Sequence, residues 1–382
     1  MLLSAAVALP AEAETRGVVG RLSAVAVDSA HITLTWNPVA GARSYEVDRG
    51  SSLLLADTRL TTFTDSLLWP RSRYSYTVRA ISSSGHVLAS AHAVARTKRL
   101  PATGFPLPYP ASSVWSKPIG NAAAVPNSPA LIAYLVAHAS SPNMTLRSYG
   151  VSIAEAQPGA PRVRVSCGGG GGCLRGTLPM PLTAVPDPQE GHLAVYEPGA
   201  GREWDMFEAA RSSSGWHAYA ATSVTMRRGN PIIPAGRIGG NAANLPLIAG
   251  VVRPEEILQG HIDHALVFAI PSVSRLGHVC PATHNDGSST DPNALREGMR
   301  LQLDPTLDVG SLAVPAWEKT LARAMQTYGM YLTDEGGSLS IFAEDPASRG
   351  YDAWKLVGMP EGDAVSIVGI PWDRFRVVSA PC

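Results

Sequence analysis

The chain of 382 residues carries no formal net charge, and 45% of it is apolar against 16% charged. That length implies two or three domains, with enough apolar material to fill real cores and too little charge for long disordered arms. No basic stripe or acidic tail is present, which argues against nucleic acid and anionic membrane surfaces as partners. Only four of the 31 cations are lysine (Lys98, Lys117, Lys319 and Lys355), an arginine bias that reads as codon composition and not phosphate binding.

Residues 1–20 read as a lead-in. Leu2 to Pro10 is a short apolar run ahead of Ala11-Glu12-Ala13, the small-x-small pattern of a signal-peptidase site, although the usual positive n-region is missing. The run is too short to span a bilayer, and no other segment has the length and apolarity for it. An exported protein, secreted and without membrane insertion, is therefore expected.

Residues 21–98 read as short alternating strands with turns between them. Ile32, Leu34 and Trp36 share a face, and Tyr45-Glu-Val47, Thr62-Phe-Thr64 and Tyr74-Ser-Tyr-Thr-Val78 with Ala80 repeat the habit. With an early Trp, a Y-x-V strand and a late Y-x-Y-x-V-x-A strand, this part resembles fibronectin type III domains. The resemblance implies an immunoglobulin-like sandwich in which Tyr74 is the corner tyrosine, its hydroxyl tied to backbone, and it implies no catalysis. Residues 99–113 hold Pro101, Pro106, Pro108 and Pro110 and read as a stiff linker.

Residues 114–382 read as a larger β-rich catalytic domain. Helices are expected from Ser128 to about Ala139, from Pro254 to Gly260, and from Pro315 to Tyr328 with Gly329 as the stop. Strand-like runs are Val163–Val165, His192–Tyr196, Ile262–Ile270, Met299–Leu303, Met330–Thr333, Ser338–Ala343 and Ala364–Val368. Many short strands with Gly and Pro turns predict a mainly β fold, a sandwich or jelly roll with a few helices. No βαβ order is visible. Four cysteines suit two disulfides, Cys167 with Cys173 around the Gly168–Gly172 run and Cys280 with Cys382.

The sharpest chemical pattern is Glu203-Trp204-Asp205-Met206-Phe207-Glu208. On a strand Glu203 and Asp205 share a face, and carboxylates converging in a groove push their pKa values apart. The E-x-D-x-x-E spacing resembles the catalytic strand of laminarinase-type, jelly-roll glycoside hydrolases; the likeness implies Glu203 as nucleophile, Asp205 as its orienter and Glu208 as acid/base. The alternative is an amphipathic edge strand whose acids stay wet.

A second constellation is His261-Ile-Asp263-His264 and His284-Asn-Asp286-Gly287. His264 reads either as a core histidine bonded to backbone or as a general base near neutral pH. His264, His284 and Asp286 as ligands of a structural divalent ion match no sharp motif, and Asn285-Asp286-Gly287 is also a tight turn. Third, Arg323, Gln326, Tyr328 and Tyr331 cluster at the end of the long helix. A tyrosine with His264 is the base/acid pair that uronate lyases use; the plain reading makes these tyrosines core aromatics. Trp204, Trp216 and Tyr219 are candidates to stack on sugar faces.

No G-x-S-x-G elbow, Walker A loop or H-E-x-x-H is present. The segment Gly250–Pro305 resembles uncharacterised exported actinobacterial proteins, which lends it no assigned activity. The expectation is a secreted, monomeric, carbohydrate-active enzyme without a cofactor, acting on a polysaccharide or cell-wall glycan. Hydrolysis by a carboxylate pair including Asp205 comes first, elimination by His264 with a tyrosine second, and a non-catalytic glycan binder third. Catalytic candidates are Asp205, Glu203, Glu208, His264 and Asp286; substrate-binding candidates are Trp204, Trp216, His284, Arg323 and Tyr328.

Overall fold

A computed structural model describes residues 17–169, 173–227 and 232–379. The lead-in up to Arg16, the middle of the glycine run and Cys382 lie outside the described residues. The protein is mainly β, built from several sheets with few helices.

The N-terminal strands form a sandwich. A three-stranded sheet (Ser23–Ala26, Ile32–Thr35, Thr62–Asp65) faces a five-stranded one whose centre is Ala42–Arg49, Arg73–Ser82 and Val87–Arg96. The period-two pattern drives this: Ile32, Leu34, Val47, Tyr76, Val78 and Ala80 are all buried between the sheets. Trp36 packs edge-on against Tyr45 at 5.4 Å. The Tyr74 hydroxyl accepts the Trp69 N–H at 2.7 Å, which ties the corner to backbone.

Most of the remaining strands make two larger sheets stacked face to face; Arg162–Val163 with Leu178–Pro179, and Val165–Cys167 with Gly215–Ala218 and Ala210–Ser212, form two small ones. The five-stranded sheet runs Ala220–Thr225, Arg202–Phe207, Leu193–Glu197, Val151–Glu155, Glu344–Asp345. The seven-stranded sheet runs Ala364–Ser366, Asn143–Thr145, Ser340–Ile341, Leu266–Ile270, Met330–Glu335, Arg300–Leu303, Phe375–Val378. Both are mixed: Val151–Glu155 runs parallel to both neighbours, and Leu266–Ile270 runs parallel to Met330–Glu335.

Alternation decides the layers. Val267, Ala269 and Tyr331 point into the core shared with Val151, Ile153 and Ala194 of the other sheet. Leu266, Phe268, Ile270 and Leu332 point the other way, against the helices Ser128–His138 and Ala316–Thr327. On the far side of the five-stranded sheet, Leu193, Val195, Trp204 and Met206 pack a third cluster. The strands are therefore covered on both faces, which explains their near-continuous apolar runs.

Two boundary readings are corrected. The expected strand Ile262–Ile270 begins only at Leu266, because the Ala265 N–H is taken by the Trp115 carbonyl at 2.7 Å; His264 sits in the bend before it. Of the expected run Ser338–Ala343 only Ser340–Ile341 is strand, and Glu344–Asp345, just past it, enters the other large sheet. Residues 99–113 lie against the larger domain: the Phe105 N–H donates to Gln259 at 2.6 Å, the Arg253 guanidinium stacks over the Phe105 ring, and Tyr109 is buried. The Cys167–Cys173 disulfide is formed, and Cys280 is disulfide-bonded.

Candidate functional site

The catalytic candidates Glu203, Asp205, Glu208, His264 and Asp286 are not brought together in one site. Glu203 and Asp205 do share a face, but it is the face turned into the core between the two large sheets, and both are fully buried. Glu203 accepts the Ile248 N–H at 2.9 Å and the Tyr109 hydroxyl, while Asp205 accepts the Leu247 N–H at 3.3 Å. Burial pushes both carboxyls up, Asp205 further because Glu203 lies beside it. The pair is sealed under residues 247–248, with no path to a polymer.

Glu208 lies just past the strand, exposed, with a positive φ of 51°. Trp204 and Trp216 are core residues at 5% and 7% exposure and offer no face to a sugar. His264 is saturated: one ring nitrogen meets the Ala265 carbonyl and the other Glu256, each at 2.9 Å. Burial alone would discharge this ring, but the Glu256 carboxylate overrides it and raises its pKa. His264 fastens the short helix Pro254–Gln259 and has no free lone pair for base catalysis. Arg323 is exposed on the helix Ala316–Thr327 and Tyr328 closes that helix half-buried; neither lines the cleft described next.

Asp286 and His284 do open on a cleft, of about 720 Å³, in the larger domain. Its floor is built at the end of strand Met330–Glu335. Between Phe268 and Ala269 the register against this strand slips by one residue, so that Ala269 faces Asp334 and Thr333 is the extra residue. The bulge re-aims Asp334: in strict alternation it would share the helix-side face of Leu332, and instead it shares the side of Ala269. Residues 241–245 pack across this end, the Ala243 N–H on the Thr333 carbonyl at 2.9 Å and the Ala242 N–H on Asp334 Oδ1 at 2.8 Å. The same segment holds the next loop, since His284 Nδ1 meets the Ala242 carbonyl at 2.8 Å. Asp286 in turn accepts the Glu335 N–H at 3.3 Å.

Behind Asp286 stands Glu297, fully buried, with no hydrogen-bond donor on either carboxylate oxygen. Gly298 makes the placement possible: its φ is +82°, and a Cβ there would sit 1.9 Å from the Val279 carbonyl. Burial and the Asp286 carboxylate hold the Glu297 pKa at about 11. A carboxyl raised this far keeps its proton at neutral pH, beside the Asp286 carboxylate. Burial likewise lifts Asp334 to about 8, helped by the Asp286 and Glu190 charges, and its Oδ2 has no partner.

The rest of the lining comes from Glu190, His192, Phe207, Tyr219 and Tyr149 and from Asn143, Ser340 and Asp363. Tyr149 and Tyr219 are half-exposed and supply the flat apolar faces that Trp204 and Trp216 do not. His192 is 4% exposed; burial lowers its pKa to about 4, so it is a neutral imidazole, and its Nδ1 has no partner. Among the described residues no group of three or more His, Cys, Asp or Glu side chains is arranged to hold a metal ion. Among the described residues no helix is long and apolar enough to cross a membrane. Glu297, Asp334, Glu190 and His192 were not site candidates on sequence grounds; the only signal was the T-D-E-G-G string closing a strand at Thr333.

No family model matches the chain. It is 34% identical over 88 residues to exoglucanase B of Cellulomonas fimi, a stretch that is 22% of this chain and 8% of that protein. The chain thus spans under a tenth of that curated relative's length. Similar solved structures include a Fn3-like protein from Clostridium thermocellum (31% identity, 21% of this chain, 91% of that one, TM-score 0.18). The FN5 domain of Drosophila Lar overlaps at 19% identity, 22% of this chain, 98% of that one and TM-score 0.20. A family 28 exopolygalacturonase from Yersinia enterocolitica overlaps at 17% identity, 22% of this chain, 21% of that one and TM-score 0.20.

Proposed function

We propose that the protein is an exported enzyme that hydrolyses a polysaccharide, with its acid/base groups in the Asp286–Glu297–Asp334 cleft. Glycoside hydrolysis needs one carboxyl that still carries its proton near neutral pH and one that does not. Asp334, with a pKa of about 8 caused by burial, fits the proton donor to the leaving oxygen. Asp286 is the carboxylate that faces the cleft and activates water, and a protonated Glu297 behind it fixes its orientation through the shared proton. Tyr149 and Tyr219 supply stacking surface, and neutral His192 supplies a hydrogen-bonding nitrogen. The observation that carries the reading is a pair of carboxyls with raised pKa, Glu297 and Asp334, beside the exposed Asp286 at a cleft of about 720 Å³. The 88-residue likeness to a protein named exoglucanase B agrees with carbohydrate chemistry and does not fix this chain's sugar.

The test is reducing-end release from a panel of soluble polysaccharides by wild type, Asp286→Asn and Asp334→Asn. A lost acid or base lowers turnover by roughly 10²–10⁴-fold, and wild-type activity falls as pH rises through about 8, where Asp334 gives up its proton. Full activity in both variants overturns the assignment. Product absorbing in the ultraviolet in place of new reducing ends means elimination, and depletion onto the polymer without product means a binder.

A further inference from the structure

Carboxylates in the larger domain are compensated in two very different ways. Away from the cleft, Glu344 and Glu255 are paired with arginine. Buried Glu344 is gripped by Arg253 and Arg349, and buried Glu255 takes two hydrogen bonds from Arg349, at 2.6 and 3.0 Å. That is the ordinary solution for acids out of water.

The cleft has no such solution. Glu190, Asp286, Asp334, Glu335 and Asp363 line it, and the described lining residues include no Lys or Arg. None of these five pairs with Lys or Arg among the described residues; the nearest ring nitrogen, His192 Nδ1, stands 3.6 Å from Glu190. That ring is neutral, its pKa lowered to about 4 by burial, so it is no counter-ion. Immediately behind lie Asp187 and Asp345, 3% and 2% exposed, each with one buried oxygen that has no partner. Asp187 raises Glu190, and Asp345 feels Asp187 and Asp363, so these acids form one electrostatic group. The chain as a whole has equal numbers of cations and anions, so the surplus is local and not compositional.

We propose that the cleft takes a positively charged glycan, an amino-sugar polymer with free amines, whose ammonium groups pair with the exposed carboxylates of Glu190 and Asp363. An ammonium offers three donors to carboxylate acceptors and fits between rings stacked on Tyr149 and Tyr219. A bare metal ion fits less well, since no ligand group of three is arranged for one among the described residues. A polyuronate meets like charge along its path and no cation to neutralise it. The inference rests on the reading of this cleft as a polysaccharide site and names the sugar class it selects.

The experiment is calorimetric binding of three hexamers to the Asp334→Asn enzyme, of glucosamine, of N-acetylglucosamine and of galacturonate, at low and high salt. The glucosamine hexamer binds at least tenfold tighter than the N-acetylated one, the gap shrinks with salt, and galacturonate does not bind. In the Glu190→Gln/Asp363→Asn variant, checked for folding by its thermal midpoint, the preference falls by at least tenfold while N-acetylglucosamine affinity holds. Equal affinity for the two amino-sugar hexamers, an unchanged preference in the double variant, or calcium binding without any sugar preference overturns the inference. Asp334-dependent cleavage of a neutral glucan without a glucosamine preference would leave the hydrolase reading standing and sink this one. A glucosamine preference without cleavage of any polymer would do the reverse.

Discussion

Asp334 keeps its proton because burial and the nearby Asp286 and Glu190 charges outweigh the one backbone donor, from Ala242, and its other oxygen has no hydrogen-bond partner. That environment has a consequence for stability that is separate from catalysis. The unfolded carboxyl has its ordinary value of 3.8, and the folded one sits at about 8, so between those values the folded state holds the extra proton. Stability through this group therefore falls as pH rises from about 4 to about 8. Asp334→Asn keeps the shape and the Ala242 hydrogen bond and has no proton to lose. Its thermal midpoint should match wild type near pH 4 and exceed it increasingly towards pH 8, by roughly 2–4 °C for each kcal/mol gained. A constant difference across that range would mean the carboxyl is not dry in solution. The same substitution is predicted to destroy turnover, the expected trade between a strained site and a stable one.

At the scale of elements, alternation was legible and the choice of face was not. Glu203 and Asp205 do lie together on strand Arg202–Phe207, as period two requires. Nothing local distinguishes a groove face from a core face, and the covering segment, residues 247–248, is over forty positions away. Asp205→Asn is therefore expected to leave reducing-end release within about twofold of wild type and to remain folded, because an amide donor replaces the proton between the two carboxyls. Asp205→Ala leaves Glu203 without that partner and should lower unfolding free energy by about 1–3 kcal/mol in urea titration. Loss of cleavage in a folded Asp205→Asn protein would return the active site to this strand. Asp334 was hidden by a different mechanism. A one-residue bulge opposite Phe268 and Ala269 turned it to the cleft side, and bulges leave no mark in a hydrophobic pattern. The three expected helices were read nearly to the residue, because Pro254 with Gly260 and Gly329 punctuate them chemically, while the one-turn helix Ala353–Leu356 was not read. Glu297 and Glu190 come from irregular segments, where no periodicity exists to be read.

Across the whole molecule, the N-terminal sandwich is docked and not merely tethered. Leu67 presents its carbonyl to Arg349 and to the Tyr351 hydroxyl, the latter at 2.6 Å, and Arg49 donates back to the Arg349 carbonyl. His31 closes the same junction, with one ring nitrogen on Asp28 of its own module at 2.8 Å and the other on Glu155 at 2.9 Å. Burial by itself would discharge His31; the two carboxylates override that and hold its pKa at about 10. A free histidine sits at 6.5, so the stabilisation of docking by this charge is complete below that pH and is lost as pH rises through about 10. Wild-type protein should then show a rising radius of gyration in solution scattering, and faster proteolysis within residues 99–113, between pH 7 and pH 10. His31→Gln keeps hydrogen bonds to both acids but has no charge to lose. It should be more open than wild type at pH 7 and show little further change on the alkaline side. The Arg349 and Tyr351 contacts, with both pKa values raised, persist over that window, so the opening is partial in both proteins. Identical pH profiles for wild type and His31→Gln would show that the junction is held by the arginine and tyrosine contacts alone.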